Sequence, residues 1–337
     1  MSVNQIVEDV RARGDAAVRE WSLRLDGVEP SRATPDVGVP AEAVLALADR
    51  VRRWHALQRP ADLRLEVEPG VELERRWVPL ASVGVYVPRS LLSTLVMCAV
   101  PAQTAGVERI VVVTPPKGAE LVAGAAALLG IDDVWAVGGP QAVAALAYGT
   151  ETIARVDKIV GPGSSYVNQA KLLVSRDVAI DLPAGPSEVL VVLGRGADRE
   201  IAARELAAQA EHGADAVCEL VDGSDLERAL AEVERRAPEH VVLLGDAERL
   251  AGRIRSAGAV FVGDSSPVAS GDYATGGNHV LPTNGWARSL GGLGLETFLK
   301  PVTVQRLTAD GLARVRPTVE ALAAAEGMPA HALAVAR

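Results

Sequence analysis

Aromatic side chains make up only 3% of this sequence, and just two are phenylalanine. The core therefore has to be built from Ala, Val and Leu, within a chain that is 49% hydrophobic. That composition suits helix-covered parallel sheets and points to an α/β protein. Cysteine is nearly missing. Cys98 and Cys218 lie far apart in apolar surroundings and form no CxxC pair, so they read as buried thiols in a reducing cytosol. Positive charge is in deficit, with 34 Lys and Arg against 43 Asp and Glu and a net charge of −9, which excludes a nucleic-acid footprint. Charged residues interrupt every apolar run before it reaches membrane-spanning length, and the first residues lack a basic stretch followed by an apolar one. The expectation is a soluble, unprocessed, cytoplasmic protein. Histidine is scarce too, with five in 337 residues.

What is present is a regular alternation of strands and helices. Helical spacing of apolar residues runs from residue 3 to 25, and a second helix is expected from about Ala41 to Leu57, with a loop from Pro30 to Pro40 between them. After a short strand at Val83 to Val87, strands are predicted at Arg109 to Thr114, Asp133 to Val137 and Lys158 to Val160. The intervening helices are Glu120 to Leu129, Gln141 to Tyr148 and Tyr166 to Val174. A second series has strands at Glu188 to Leu193, Ala216 to Val221, Val241 to Leu244 and Ala259 to Val262. Its helices are Arg199 to Glu211, Leu226 to Arg236 and Ala247 to Ser256. Two doubly wound parallel-sheet units follow. The last stretch, with a break at Pro301 and an Ala-rich helix near Thr318 to Ala325, is too small to fold alone.

Four segments concentrate groups capable of chemistry. In Gln209-Ala-Glu-His212 a spacing of three puts an amide and an imidazole on one helix face, where both can reach one ion, although such a pair is equally a solvated helix end. Gly271-Asp272-Tyr273 with His279 offers a carboxylate and an imidazole of the kind zinc accepts, or an ordinary turn. Pro238-Glu239-His240 places two proton acceptors at a strand entry. Glu326-Gly-Met-Pro-Ala-His331 repeats the combination near the C-terminus. Gly138-Gly139-Pro140-Gln141 and Gly161-Pro162-Gly163 stand between strands and helix starts, where amides meet phosphates, yet neither completes GxGxxG.

In order along the chain, these segments resemble histidinol dehydrogenase. The most specific block runs from Gly138-Gly139-Pro140-Gln141 through Asp157-Lys158-Ile159-Val160-Gly161-Pro162-Gly163 to Ile180-Asp181-Leu182-Pro183-Ala184-Gly185-Pro186-Ser187-Glu188. The resemblance implies a zinc ion held by Gln209, His212, Asp272 and His331. It implies catalytic bases at Glu239 and His240, with His240 taking the alcohol proton and Glu239 activating water. Substrate contacts would be Ser187, His279 and Glu326, and cofactor contacts Tyr86, Gln141 and Ser164. The implied reaction is a four-electron oxidation of an amino alcohol, through an aldehyde, to an amino acid with two NAD. Members of that family are two-domain α/β proteins related to aldehyde dehydrogenases. The matching division is residues 1–85 and 190–293 for the metal and catalytic domain, 86–189 for the cofactor side, and 294–337 for a small helical dimerisation segment. In a homodimer that segment would complete the partner's site.

The chain also departs from that pattern. Tyr86-Val87-Pro88 is followed by Arg89-Ser90-Leu91-Leu92 where the family has a glycine-rich loop, Ser164 replaces the asparagine of GPGN, and Gly277 replaces the proline of GPNH. Several tens of residues, about one strand and one helix, are missing between His212 and Glu239. Two further readings therefore stand beside the NAD-linked oxidation. One is a zinc enzyme on the same scaffold with NAD use lost or altered, acting as a hydrolase, lyase or isomerase in a specialised pathway. The other is a non-catalytic binding protein.

Overall fold

A computed structural model describes residues 2–36, 38–183 and 185–336; Ala184 of the motif block and the terminal Arg337 lie outside the described residues. The expected single helix over residues 3 to 25 is two, α1 (Val3–Arg13) and α2 (Asp15–Leu25), because Gly14 takes φ 56° between them. There follow β1 (Ser31–Arg32), α3 (Ala41–Ala56), β2 (Leu63–Glu68), β3 (Val71–Pro79), β4 (Ser82–Tyr86) and α4 (Leu92–Ala105). The chain divides into two units, Met1–Gln58 with Leu80–Phe298, and Arg59–Pro79 with Leu299–Arg337.

The larger unit contains two sheets. The first is built from β4 with β5 (Arg109–Thr114), α5 (Ala119–Leu128), β6 (Val134–Ala136), α6 (Gly139–Tyr148), β7 (Lys158–Val160), α7 (Ser165–Val174) and β8 (Ala179–Ile180). Its order is β1-β6-β5-β4-β7-β8, parallel apart from the short β1. The order therefore reverses between β4 and β7, as in a dinucleotide-binding sheet. Helix α4 escaped the sequence pattern because ten of its residues are buried, leaving no polar face to reveal a helical period. Each fully buried Val or Leu there contributes roughly 1.5–3 kcal/mol of transfer free energy. Behind β7 the buried Lys171 ammonium pairs with Asp181 and donates to the Gly161 carbonyl at 2.9 Å. Asp181 in turn accepts the Gly161 amide at 2.7 Å, which pins the loop after β7.

The second sheet follows with β9 (Glu188–Leu193), α8 (Arg199–Ala210), β10 (Val217–Asp222), α9 (Leu226–Arg236), β11 (His240–Leu244), β12 (Ala259–Val262) and α10 (Val268–Tyr273). All its strands are parallel, in the order β10-β9-β11-β12. Set against β6-β5-β4-β7-β8, it lacks a strand outside β10. That leaves β10 as an edge, with Leu220 50% and Val217 38% exposed. Two expectations fail here. Cys218 is exposed on β10, because nothing among the described residues covers that edge, whereas Cys98 is buried in α4. The helix expected over Ala247 to Ser256 is only a 3-10 turn, Gly245–Leu250.

The smaller unit is an antiparallel sheet, β13-β3-β2, completed by β13 (Leu299–Leu307), α11 (Ala309–Ala325) and α12 (Pro329–Ala334). Pro301, expected to break the chain, lies within β13 opposite Trp77. An edge strand tolerates the missing amide. Helix α11 begins well before Thr318, because the Thr308 side chain caps it by accepting the Gly311 amide at 3.0 Å.

The two thiols should therefore differ sharply. In native protein one thiol, Cys218, is expected to react promptly with a chromogenic disulfide reagent. Cys98, whose thiol burial holds far above its ordinary range, should react only on unfolding. Two prompt thiols would contradict this packing.

Candidate active site

Strands β9 and β11 are parallel neighbours with His240 in register with Val189, so both begin at the same end of the second sheet. Glu239 and His240 enter there after a left-handed turn at Ala237, φ 49°. The Glu239 carboxylate is 7% exposed; its Oε2 accepts the Ser187 hydroxyl at 2.6 Å and the Glu188 amide at 2.8 Å. Burial pushes its pKa up to about 7, against the pull of those two hydrogen bonds. His240 donates from Nδ1 to the Glu188 carbonyl at 2.9 Å, which fixes the tautomer and leaves a lone pair on Nε2. Burial lowers its pKa, so the imidazole is neutral at physiological pH and able to accept a proton.

The Gly-Asp-Tyr segment is not a turn but the last turn of α10. Gly271 lies on the Phe261 ring, where a Cβ would fall 2.7 Å from Cζ, and Phe261 in turn tilts against the His240 ring at 5.9 Å between centroids. Helix α8 brings Gln209 in its final turn and His212 just beyond it. Buried Glu205 ties α8 to α10 by accepting the Val268 amide at 3.0 Å. His212 is exposed, with Nδ1 3.2 Å from the Gln209 carbonyl. Asp272 is raised by burial and lowered by the charges of His240 and His212. His279 donates from Nδ1 to the Asp272 carbonyl at 3.2 Å, sets Nε2 3.3 Å from Thr94 Oγ1, and is pushed down to about 4 by burial.

Ser187, Gln209, His212, Glu239, His240, Asp272 and His279 thus share one region of the larger unit. Glu326 and His331 are exposed residues of the smaller unit. Among the described residues no three His, Cys, Asp or Glu side chains form a ligand cluster. The amide, imidazole and carboxylate of Gln209, His212 and Asp272 nevertheless make a donor set of the type zinc accepts. Gln209 is 2% exposed and its Nε2 has no hydrogen-bond partner, while the atom that could reach zinc is its Oε1. The residues expected to contact a cofactor are placed differently. Tyr86 is 3% exposed and its phenol oxygen accepts the Gly139 amide at 3.2 Å, while fully buried Gln141 donates to Asp26 at 3.3 Å. Ser164 alone of those three is exposed.

Sequence reasoning passed over Glu188, Glu205 and Thr94, whose parts depend on contacts between distant segments. The contact at Gly271 yields a test. Gly271→Ala should cost about 1–3 kcal/mol of stability by overpacking Phe261. Gly277→Ala, whose Cβ meets nothing nearer than 3.7 Å, should cost far less. Equal urea midpoints for the two variants would contradict the packing of α10.

A family model described as histidinol dehydrogenase matches residues 1–225 and 219–337. Among similar proteins, the histidinol dehydrogenase of Cereibacter sphaeroides is 44% identical over 388 aligned positions, covering 98% of this chain and 89% of that protein. Set against 337 residues, those positions leave at least 51 without a counterpart here. The two family matches overlap at residues 219–225, the second half of β10 and the turn before α9, at the edge where the second sheet lacks its outer strand. The crystal structure of histidinol dehydrogenase from Elizabethkingia anophelis superposes with a TM-score of 0.91 at 33% identity, covering 99% of this chain and 90% of that one. A succinate-semialdehyde dehydrogenase from Burkholderia pseudomallei shares the fold, with a TM-score of 0.54 at 12% identity, covering 91% of this chain and 86% of that one. With both family matches together spanning the whole sequence and a relative at 44% identity across nearly all of it, the chain belongs to the histidinol dehydrogenase family of oxidoreductases.

Proposed function

We propose that this protein oxidises an amino alcohol, histidinol or a related compound, through an aldehyde to the amino acid, with zinc and NAD. The observation that carries the reading is the adjacent pair of bases, a neutral His240 with Nε2 free and a Glu239 whose pKa lies near 7. Two different proton acceptors at one place suit a reaction with two successive deprotonations.

Gln209, His212 and Asp272, with His331 as the fourth ligand, would hold the zinc. Bound zinc would fix the substrate's amine and imidazole, and NAD would accept hydride. His240 Nε2 takes the alcohol proton in the first oxidation. Glu239, as carboxylate, takes a proton from the water that adds to the aldehyde in the second. Ser187 steadies the Glu239 carboxylate and contacts substrate beside His279, whose low pKa keeps it uncharged. Glu326 and His331 act from a second copy of the chain, so the working form is a homodimer.

Metal-loaded protein should release two NADH per L-histidinol, lose activity to a chelator and regain it with zinc. Bound zinc with no NADH from any amino alcohol would overturn the proposal. Glu239→Gln should leave the first NADH and slow the second at least 100-fold, the lower range for loss of a general base.

Stability should depend on pH. The folded pKa of Glu239 exceeds its ordinary value of 4.5, so its contribution is fully present below pH 4.5 and fades as pH rises through about 7. Chelated Glu239→Gln should therefore gain on wild type between pH 5 and 8, by up to ~3 kcal/mol. A gap in urea-unfolding free energy that does not change with pH would contradict this.

A further inference from the structure

In a doubly wound sheet the ligand crevice opens outside the carboxyl ends of the strands, where their order reverses. For the first sheet that is between β4 and β7, so the loops after Tyr86 and Val160 form its two lips. The turn after the first strand ordinarily takes a pyrophosphate on glycine amides. Here that turn is Pro88-Arg89-Ser90-Leu91, without glycine, and α4 begins with no side-chain cap. Nor does the next glycine pair replace it, since the Gly139 amide is already taken by the Tyr86 phenol.

Arg89 stands out in this turn. Its φ is 48°, in the left-handed region that a side chain with Cβ rarely adopts, at a cost of roughly 1–2 kcal/mol. The surrounding structure enforces that backbone. Fully buried Thr114 donates to the Arg89 carbonyl at 2.8 Å, and Ser90 packs on Gly118 so closely that a Cβ there would lie 2.6 Å from Ser90 Oγ. Held this way, Arg89 is exposed at the lip, and its guanidinium has no hydrogen-bond or ion-pair partner among the described residues. Across the crevice stands exposed Ser164, whose hydroxyl caps nothing.

We propose that Arg89 binds a phosphate of the dinucleotide, a planar cation doing the work that a glycine-rich turn does with amides. The inference rests on the NAD-linked reading above. The same chemistry serves the pyrophosphate of NAD or the 2′-phosphate of NADP, and ligand choice separates them.

The test is calorimetric titration of the full-length, zinc-loaded protein and its Arg89→Gly variant with NAD, NADP, ADP and adenosine. Glycine suits the left-handed backbone, so the variant should unfold at the wild-type temperature or above, and weaker binding cannot then be blamed on misfolding. Affinity for NAD and ADP should fall about tenfold or more, the loss expected for a charge-assisted contact, while adenosine binding stays unchanged. A fall confined to NADP supports phosphate binding at the 2′ position instead. Wild type and variant binding both dinucleotides equally would overturn the role of Arg89 and leave the NAD-linked reading standing. Wild type binding neither dinucleotide would overturn both.

Discussion

Glu188 holds the candidate active site together. Its amide donates to the Glu239 carboxylate, its carbonyl accepts from His240, and its own carboxylate accepts the amides of Glu239 and Asn284. Four hydrogen bonds from one residue set the orientation of both bases and of the loop that follows His279. They exist because β9 and β11 are adjacent and parallel, so that Glu188 at the start of one strand meets Glu239 and His240 at the start of the other. Truncating the Glu188 side chain would leave the amides of Glu239 and Asn284 without their carboxylate acceptor, whereas its bonds to the Glu239 carboxylate and to His240 are main-chain and would be lost only if the backbone moved.

The same arrangement explains how the protein tolerates a shorter second sheet. Glu239 and His240 stand at the start of the inner strand β11 and are held from its inner neighbour β9, whereas the missing strand would lie outside β10. A loss at the outer edge leaves the register of β9 with β11 and the tie between α8 and α10 untouched. Its cost falls on β10, whose apolar residues and Cys218 face outward.

Much of this was legible in the sequence for physical reasons. The β-branched runs of β5 and β9 alternate with helices at the spacing of a doubly wound sheet, and the order of Gln209, His212, Glu239, His240, Asp272 and His279 marks one site. Helix α4 was hidden because it is apolar all round. The hairpin of β2 and β3 did carry a signal, the alternation Leu63-Arg-Leu-Glu-Val-Glu before Pro69-Gly70, and so did the Thr308 cap of α11. What no local pattern contains is Glu188 serving two bases 51 and 52 residues away, or the burial of Tyr86 and Gln141 beneath their own motifs.

Burial sets Glu239 apart from ordinary carboxylates, and the base role proposed for it depends on that. Difference infrared spectroscopy of metal-free protein against Glu239→Gln observes that carboxyl directly. A protonated acid band should disappear with a midpoint near pH 7. A carboxylate already ionised at pH 5 would contradict it.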